Sequence, residues 1–261
     1  MKLKDIMNVI EKDFPKYLAM DWDNVGLLVG DEEAEIHKVL ISLDVTDQTV
    51  EQAVQSGADL ILTHHPLLFR PLGTVTEQNF IARRVRKLIR NDINYYAMHT
   101  NFDIAGMADL NAEDLALRDP EVLEVMGSYD DGKEYGLGRI GTLGREMTLA
   151  ELAEHVKDVM KLDAVRVYGN TDRRINRVAV SSGAGKSAVF DALKKDADVL
   201  ITGDLDYHTA IDAESQGLCM IDAGHYGTEF TYISYMADYV REKFPSLTVL
   251  TMEIKQPYSV L

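Results

Sequence analysis

One stretch of this chain is written twice. "KVLISLDVTDQTVEQAVQSGADLILT" (38–63) and "RVAVSSGAGKSAVFDALKKDADVLIT" (177–202) align without a gap. Val39, Ser42, Val50, Ala53, Ala58, Asp59 and Thr63 recur as Val178, Ser181, Val189, Ala192, Ala197, Asp198 and Thr202. The physical pattern recurs too. Each copy reads as an apolar strand, a polar turn, a helix with apolar i, i+3, i+4 positions, a short turn and a second apolar strand. Strands that alternate with helices demand parallel pairing and right-handed crossovers.

The echo runs on. A helix over about 77–90 leads into the strand "INYYAM" and then "HTNFD"; a helix over about 206–215 leads into "GLCMI" and then "DAGHYGTE". The expected fold is therefore α/β, in two similar halves over 1–126 and 127–261. Each half should hold a mostly parallel sheet flanked by helices. The glycine-rich "GSYDDGKEYGLGRIG" is expected to be the joint. A further amphipathic helix is expected near 148–160. Another should start near 227, with Phe230, Ile233, Ala237, Val240 and Phe244 on its apolar face, before a last strand "LTVLTMEI".

Composition narrows the partners. A formal net charge of −16 would repel a phosphate backbone, so neither a broad nucleic-acid surface nor an anionic membrane fits. The lone Cys219 can form no disulfide within the chain, which suits a reducing cytoplasm. "MKLKDIMNVIEKDF" carries acidic residues where a signal peptide needs an apolar core, and no apolar run reaches membrane-spanning length.

In open α/β sheets, ligands sit beyond the carboxyl ends of the strands. There the sequence places most of its histidines and several carboxylates. His64 and His65 end "ADLILTHHP"; His99 and Asp103 follow the next strand; Asp204, Asp206 and His208 follow the 199–201 strand; Asp222, His225 and Glu229 follow the 218–221 strand. Imidazoles mixed with carboxylates are ligands for first-row divalent metals. His225 and Glu229, four apart at a helix start, can face one point. His64 and His65 diverge on an extended chain, so a bend at Pro66 is needed before both serve metals.

"WDNVGLLVG" (22–30), "THHPLLF" (63–69), "HTNFD" (99–103), "GLGRIG" (136–141), "SSGAGKS" (181–187), "TGDLDYH" (202–208) and "GHYGTE" (224–229) together resemble the Nif-three-like family. It is also labelled the GTP cyclohydrolase 1 type 2 homologue family. The resemblance covers nearly the whole chain. It implies a two-domain α/β fold, homohexameric rings and two divalent metal ions per chain, with His64, His65, Asp103, His225 and Glu229 as their ligands. Zinc, iron and manganese all suit such a donor set. His99, Asp204 and His208 are candidates for supporting or proton-transfer groups, or else ordinary turn residues.

Two functions follow from the same ligands. The first is a metal-dependent hydrolase in which activated water opens the guanine imidazole ring of GTP, a nucleotide substrate. The alternative is a non-catalytic protein for metal storage, delivery or regulation of a partner. Two other motifs bear on the choice. "SGAGKS" has Val180 where a nucleotide P-loop needs glycine, so it reads as a tight turn whose amides could still meet a phosphate. "RRVRKLIR" (83–90) is the dense basic patch of the chain, either a solvated helix face or a phosphate site. Asp23, Asn24 and Gly26 have turn chemistry and are expected to be structural.

Overall fold

The computed structural model describes residues 1–252 and Tyr258. The chain forms two compact units. Among the described residues, the first comprises 1–102 with 232–252, and the second comprises 103–231 with Tyr258. The strands are β1 (Gly26–Val29), β2 (Lys38–Ser42), β3 (Leu60–Thr63), β4 (Asn94–Ala97), β5 (Arg118–Ser128), β6 (Glu134–Thr148), β7 (Arg166–Tyr168), β8 (Arg174–Ala184), β9 (Val199–Gly203), β10 (Cys219–Asp222) and β11 (Thr248–Thr251).

The first unit holds a five-stranded sheet in the order β1-β4-β3-β2-β11, parallel except for β1. Leu40, Ile61, Tyr95 and Ala97 share one core with Val50, Ala53, Val85 and Leu88 of the crossover helices Asp47–Ser56 and Phe80–Arg90. Strands buried on both faces carry unbroken apolar runs, which is why "LIL" precedes the histidines. The helices start where the chain supplies caps. Thr46 accepts from the Thr49 amide, and Asn79 from the Ile81 and Ala82 amides. Gly57, at φ 64°, ends the first of them in the left-handed conformation that glycine enters freely.

The second unit holds a six-stranded sheet in the order β5-β6-β8-β9-β10-β7. Val178, Val180, Val199 and Ile201 face one core, with the helix Leu149–Val159 packed there; Ala179, Leu200 and Met220 face the other. Only β8-β9 and β9-β10 are parallel, so this sheet is mixed rather than mostly parallel. The difference lies in the stretch expected to be a joint. "GSYDDGKEYGLGRIG" is instead the end of β5, the turn and the first half of β6 in the long hairpin β5-β6. Position 126/127, the expected boundary of the halves, falls inside β5. Its glycines serve close strand approach. A Cβ on Gly136 would fall 1.9 Å from the Glu124 carbonyl oxygen, and Gly138 adopts φ 64° against Val180.

The duplicated segments share a register: Val39 pairs with Leu60, and Val178 with Val199. The repeated aspartates do the same work. Asp59 Oδ2 accepts from the His37 and Lys38 amides, and Asp198 Oδ2 from the Asn176 and Arg177 amides. The helix expected near 227 is two helices, Gly224–Glu229 and Thr231–Lys243. Of the last expected strand, Glu253 and Ile254 lie outside the described residues. No helix among the described residues is long and apolar enough to cross a membrane.

Candidate metal centre

In the first unit three histidines gather at the carboxyl end of the sheet. β3 stops at Thr63, and the chain bends at His64 and His65 themselves rather than at Pro66. The bend brings their ring centroids to 4.9 Å, and His99 stands 5.3 Å and 5.5 Å from them. One ring nitrogen of each lies within 4.8 Å of the others, close enough to hold a metal ion together. His99 thus joins the potential ligands, beyond the supporting role expected for it.

Each imidazole is held by an oxygen. His64 Nδ1 donates to the Met98 carbonyl at 3.0 Å, His65 Nδ1 to Asp44 Oδ1 at 3.0 Å, and His99 Nδ1 to Asp23 Oδ1 at 2.9 Å. A donating Nδ1–H fixes the tautomer and turns the Nε2 lone pair toward a metal, the usual support of a metal-binding histidine. Asp23 is therefore more than a turn residue. Burial pushes its carboxyl pKa up, but hydrogen bonds from His99 and Thr100 outweigh that and hold it at about 2. It lies 76 residues from His99 in sequence, which is why local patterns missed it.

The bend is pinned by Tyr95, which is fully buried. Its hydroxyl donates to the His65 carbonyl at 2.9 Å and accepts from the Leu67 amide at 2.8 Å. Tyr95→Phe leaves that amide buried without this acceptor. The expected cost is about 1–3 kcal/mol of stability. Urea unfolding checks it, and a midpoint equal to wild type would remove the hydroxyl from the loop's support.

The second unit carries the other group. His225 Nε2 lies 3.3 Å from Glu229 Oε2, and its Nδ1 donates to Asp204 Oδ2 at 3.1 Å. Asp204 holds φ 54°, a left-handed conformation that aspartate adopts more readily than most residues. Glu229 is buried, and its carboxylate approaches that of Asp103 within 4.8 Å. Asp103 opens a π-helical turn, Asp103–Met107, and accepts from Ser182 Oγ at 3.0 Å. So Asp204 supports an imidazole. His208 is exposed on the helix Tyr207–Ser215, 5.4 Å from the Tyr207 ring. Asp206 caps that helix through the Thr209 amide and pairs with Lys186.

The "SGAGKS" turn belongs to this group. A Cβ on Gly183 would stand 2.7 Å from Glu229 Oε1 and 3.4 Å from the His225 ring. The Gly183 amide donates to Thr228 Oγ1 at 2.9 Å. A Cβ on Gly203 would meet the His225 amide nitrogen at 2.5 Å. The glycines let backbone pack directly beneath the carboxylate and imidazole. The basic patch is largely neutralised. Arg83 and Arg84 pair with Asp47, Arg86 with Glu77 and Lys87 with Glu51.

These donors fit a first-row divalent metal. Imidazoles with a fixed tautomer and buried carboxylates are the mixed nitrogen and oxygen set that zinc, iron and manganese share. Relatives carry the same architecture. Residues 1–257 match the family described as Duf34/NIF3 (NGG1p interacting factor 3). A Clostridium perfringens protein named GTP cyclohydrolase 1 type 2 homolog is 37% identical, with all of both chains covered. A Lactococcus lactis protein of the same name is 42% identical over 92% of each. The crystal structure of a Bacillus cereus protein related to NIF3 superposes with a TM-score of 0.92 at 28% identity, covering 100% of this chain and 99% of that one. With nearly its whole length matched, this chain belongs to the DUF34/NIF3 family.

Proposed function

We propose that the chain is a dinuclear metal-dependent hydrolase of the cytoplasm, in the manner of a GTP cyclohydrolase. His64, His65, Asp103, His225 and Glu229 are the ligands in this reading. The observation that carries it is the fixing of His64, His65 and His225, the three imidazoles of the ligand set, each by a hydrogen bond from Nδ1 that leaves Nε2 for a metal.

Two bound divalent ions would supply Lewis acidity and a water of lowered pKa. The chain's own residues do the rest. The name shared by the relatives points to GTP as substrate. In that reaction a water oxygen joins guanine C8, the C8–N9 bond opens, and N9 takes the proton. His99, with Asp23 steadying its imidazolium, is the residue suited to move that proton. The homohexamer implied by the family resemblance is part of the proposal, and light scattering of the eluted protein tests it.

The test is purification without a metal-binding tag, elemental analysis, and a nucleotide screen with each metal restored. A product heavier than GTP by one water supports the reading. Stoichiometric metal with no turnover of any nucleotide would assign the protein to storage or delivery instead.

Glu229 is proposed as the ligand shared by the two ions, because a carboxylate bridges cations and an imidazole does not. Glu229→Gln keeps the size and removes the charge. It is expected to lose one metal preferentially and nearly all metal-dependent activity, whereas His225→Ala weakens one ion and leaves the other. Metal stoichiometry of the two variants checks this, and equal, full occupancy in Glu229→Gln ends the bridging assignment.

A further inference from the structure

Three large aromatic side chains that stand partly out in solvent gather at the histidine cluster of the first unit. Trp22 is 58% exposed, Phe69 46% and Phe80 54%. The Trp22 and Phe69 rings meet edge to face at 5.7 Å, and lie 6.1 Å and 6.4 Å from the His99 ring. Phe69 and Phe80 line a cavity of about 310 Å³ together with His65, Pro66, Leu67 and Arg84. Exposed apolar patches rimmed by polar groups mark ligand-binding grooves and interaction sites.

The cation in this cavity is already engaged. Arg84 Nε donates to Asp47 Oδ1 at 2.8 Å, and its guanidinium carbon sits 5.1 Å above the Phe80 ring. Its charge is taken by Asp47, and it lies over one face of Phe80. What the cavity offers a ligand is therefore aromatic and apolar surface rather than an unpaired positive charge. A volume of this size is at the lower end for a small-molecule pocket, enough for a ring system.

We infer that this cavity is a subsite for a planar heteroaromatic ring of purine-base type, stacked on Phe69 and Phe80 beside His65. The inference rests on the hydrolase reading above, which supplies the purine as the ring and His65 as part of the reacting centre. It assigns recognition to the base, and it withdraws the phosphate role considered for the Arg83–Arg90 run.

The experiment is calorimetric titration of the metal-loaded protein with guanosine, which has the ring and no phosphate, and with ribose 5-phosphate, which has the phosphate and no base. Trp22 is the sole tryptophan, so its fluorescence reports whether the ring binds here. Guanosine should bind saturably and quench Trp22. Phe69→Leu with Phe80→Leu keeps apolar bulk and removes both π faces; it should weaken guanosine at least about tenfold, since a base–aromatic stack is worth about 1–3 kcal/mol. Phe69→Tyr should bind as wild type does. No saturable guanosine binding by wild type, an unchanged affinity in the double variant, or ribose 5-phosphate binding as tightly as guanosine each overturns the subsite. The two readings fail separately. GTP turnover with an unchanged KM in the double variant removes the subsite and leaves the hydrolase. Guanosine binding lost in the double variant, with no turnover by wild type, keeps the subsite and removes the hydrolase.

Discussion

His64→Ala combined with His65→Ala is expected to strip the protein of most of its bound metal while leaving it folded. Both imidazoles lie past the end of β3, so their loss does not break the parallel ladder of Leu60–Thr63. The two positions differ in what else they do. His65 is partly exposed, its side chain at 22%, and its removal costs the fold little. His64 is fully buried, with its ring 5.3 Å from Tyr232 and 6.2 Å from Phe102. Truncating it leaves a cavity, and a large-to-small change in a core costs about 2–5 kcal/mol. A lowered Tm is therefore expected, with an unchanged circular dichroism spectrum below it. His65→Ala alone separates ligation from packing, because it should lose metal without that thermal cost. Elemental analysis after dialysis is the measurement. Near-full metal in the double variant would show that these histidines are not ligands.

The second large effect comes from a residue with no functional group. Gly183→Ala is expected to dislodge the Glu229 carboxylate and cost the protein at least one metal ion per chain. A Cβ there would intrude to 2.7 Å from Glu229 Oε1, a distance no carbon tolerates, and to 3.4 Å from the His225 ring. The intruded atom ends a side chain, so the fold can yield by turning the carboxylate aside. The damage then falls on the ligand geometry more than on stability. Gly183 also holds φ 65°, where alanine pays about 1–2 kcal/mol. Gly57→Ala is the control. Gly57 has φ 64° with nothing within 4 Å of its added Cβ, so it carries the same backbone cost without the intrusion. Both variants should lose similar stability; only Gly183→Ala should lose metal. Equal metal contents in the two would make the glycine a matter of backbone strain alone.

The "SGAGKS" turn is ambiguous on local grounds. A glycine-rich turn between a strand and a helix suits either a phosphate or a close packing of chains, and nothing local distinguishes them. The distinguishing fact is the arrival of Glu229 against Gly183, 46 positions further along the chain. The phosphate patch was ambiguous for a like reason. Five cations in one helical run look available until Asp47, Glu51 and Glu77 are found beside four of them.

Short-range periodicity encodes one part of this fold. Apolar runs of four or five residues set strands with both faces covered, i, i+4 spacing set the helices between them, and that alternation forced the parallel pairings β2-β3-β4 and β8-β9-β10. The position of His64, His65, His99, Asp103, His225 and Glu229 just past strand ends followed from the same pattern. Tertiary structure alone decided the rest. It turned the supposed joint into the β5-β6 hairpin, because glycines that look like a linker also permit close strand approach. It set the divisions of the chain at Phe102/Asp103 and Thr231/Tyr232, where the continuity of the chain gave no sign of one. It joined Asp23 to His99, Asp44 to His65, Asp204 to His225 and Ser182 to Asp103. Such pairs are polar contacts between residues 21 to 79 positions apart. Hydrophobic period reports which face of an element is buried, but it carries no information about which distant carboxylate will meet which imidazole, and that choice is made only when the elements pack.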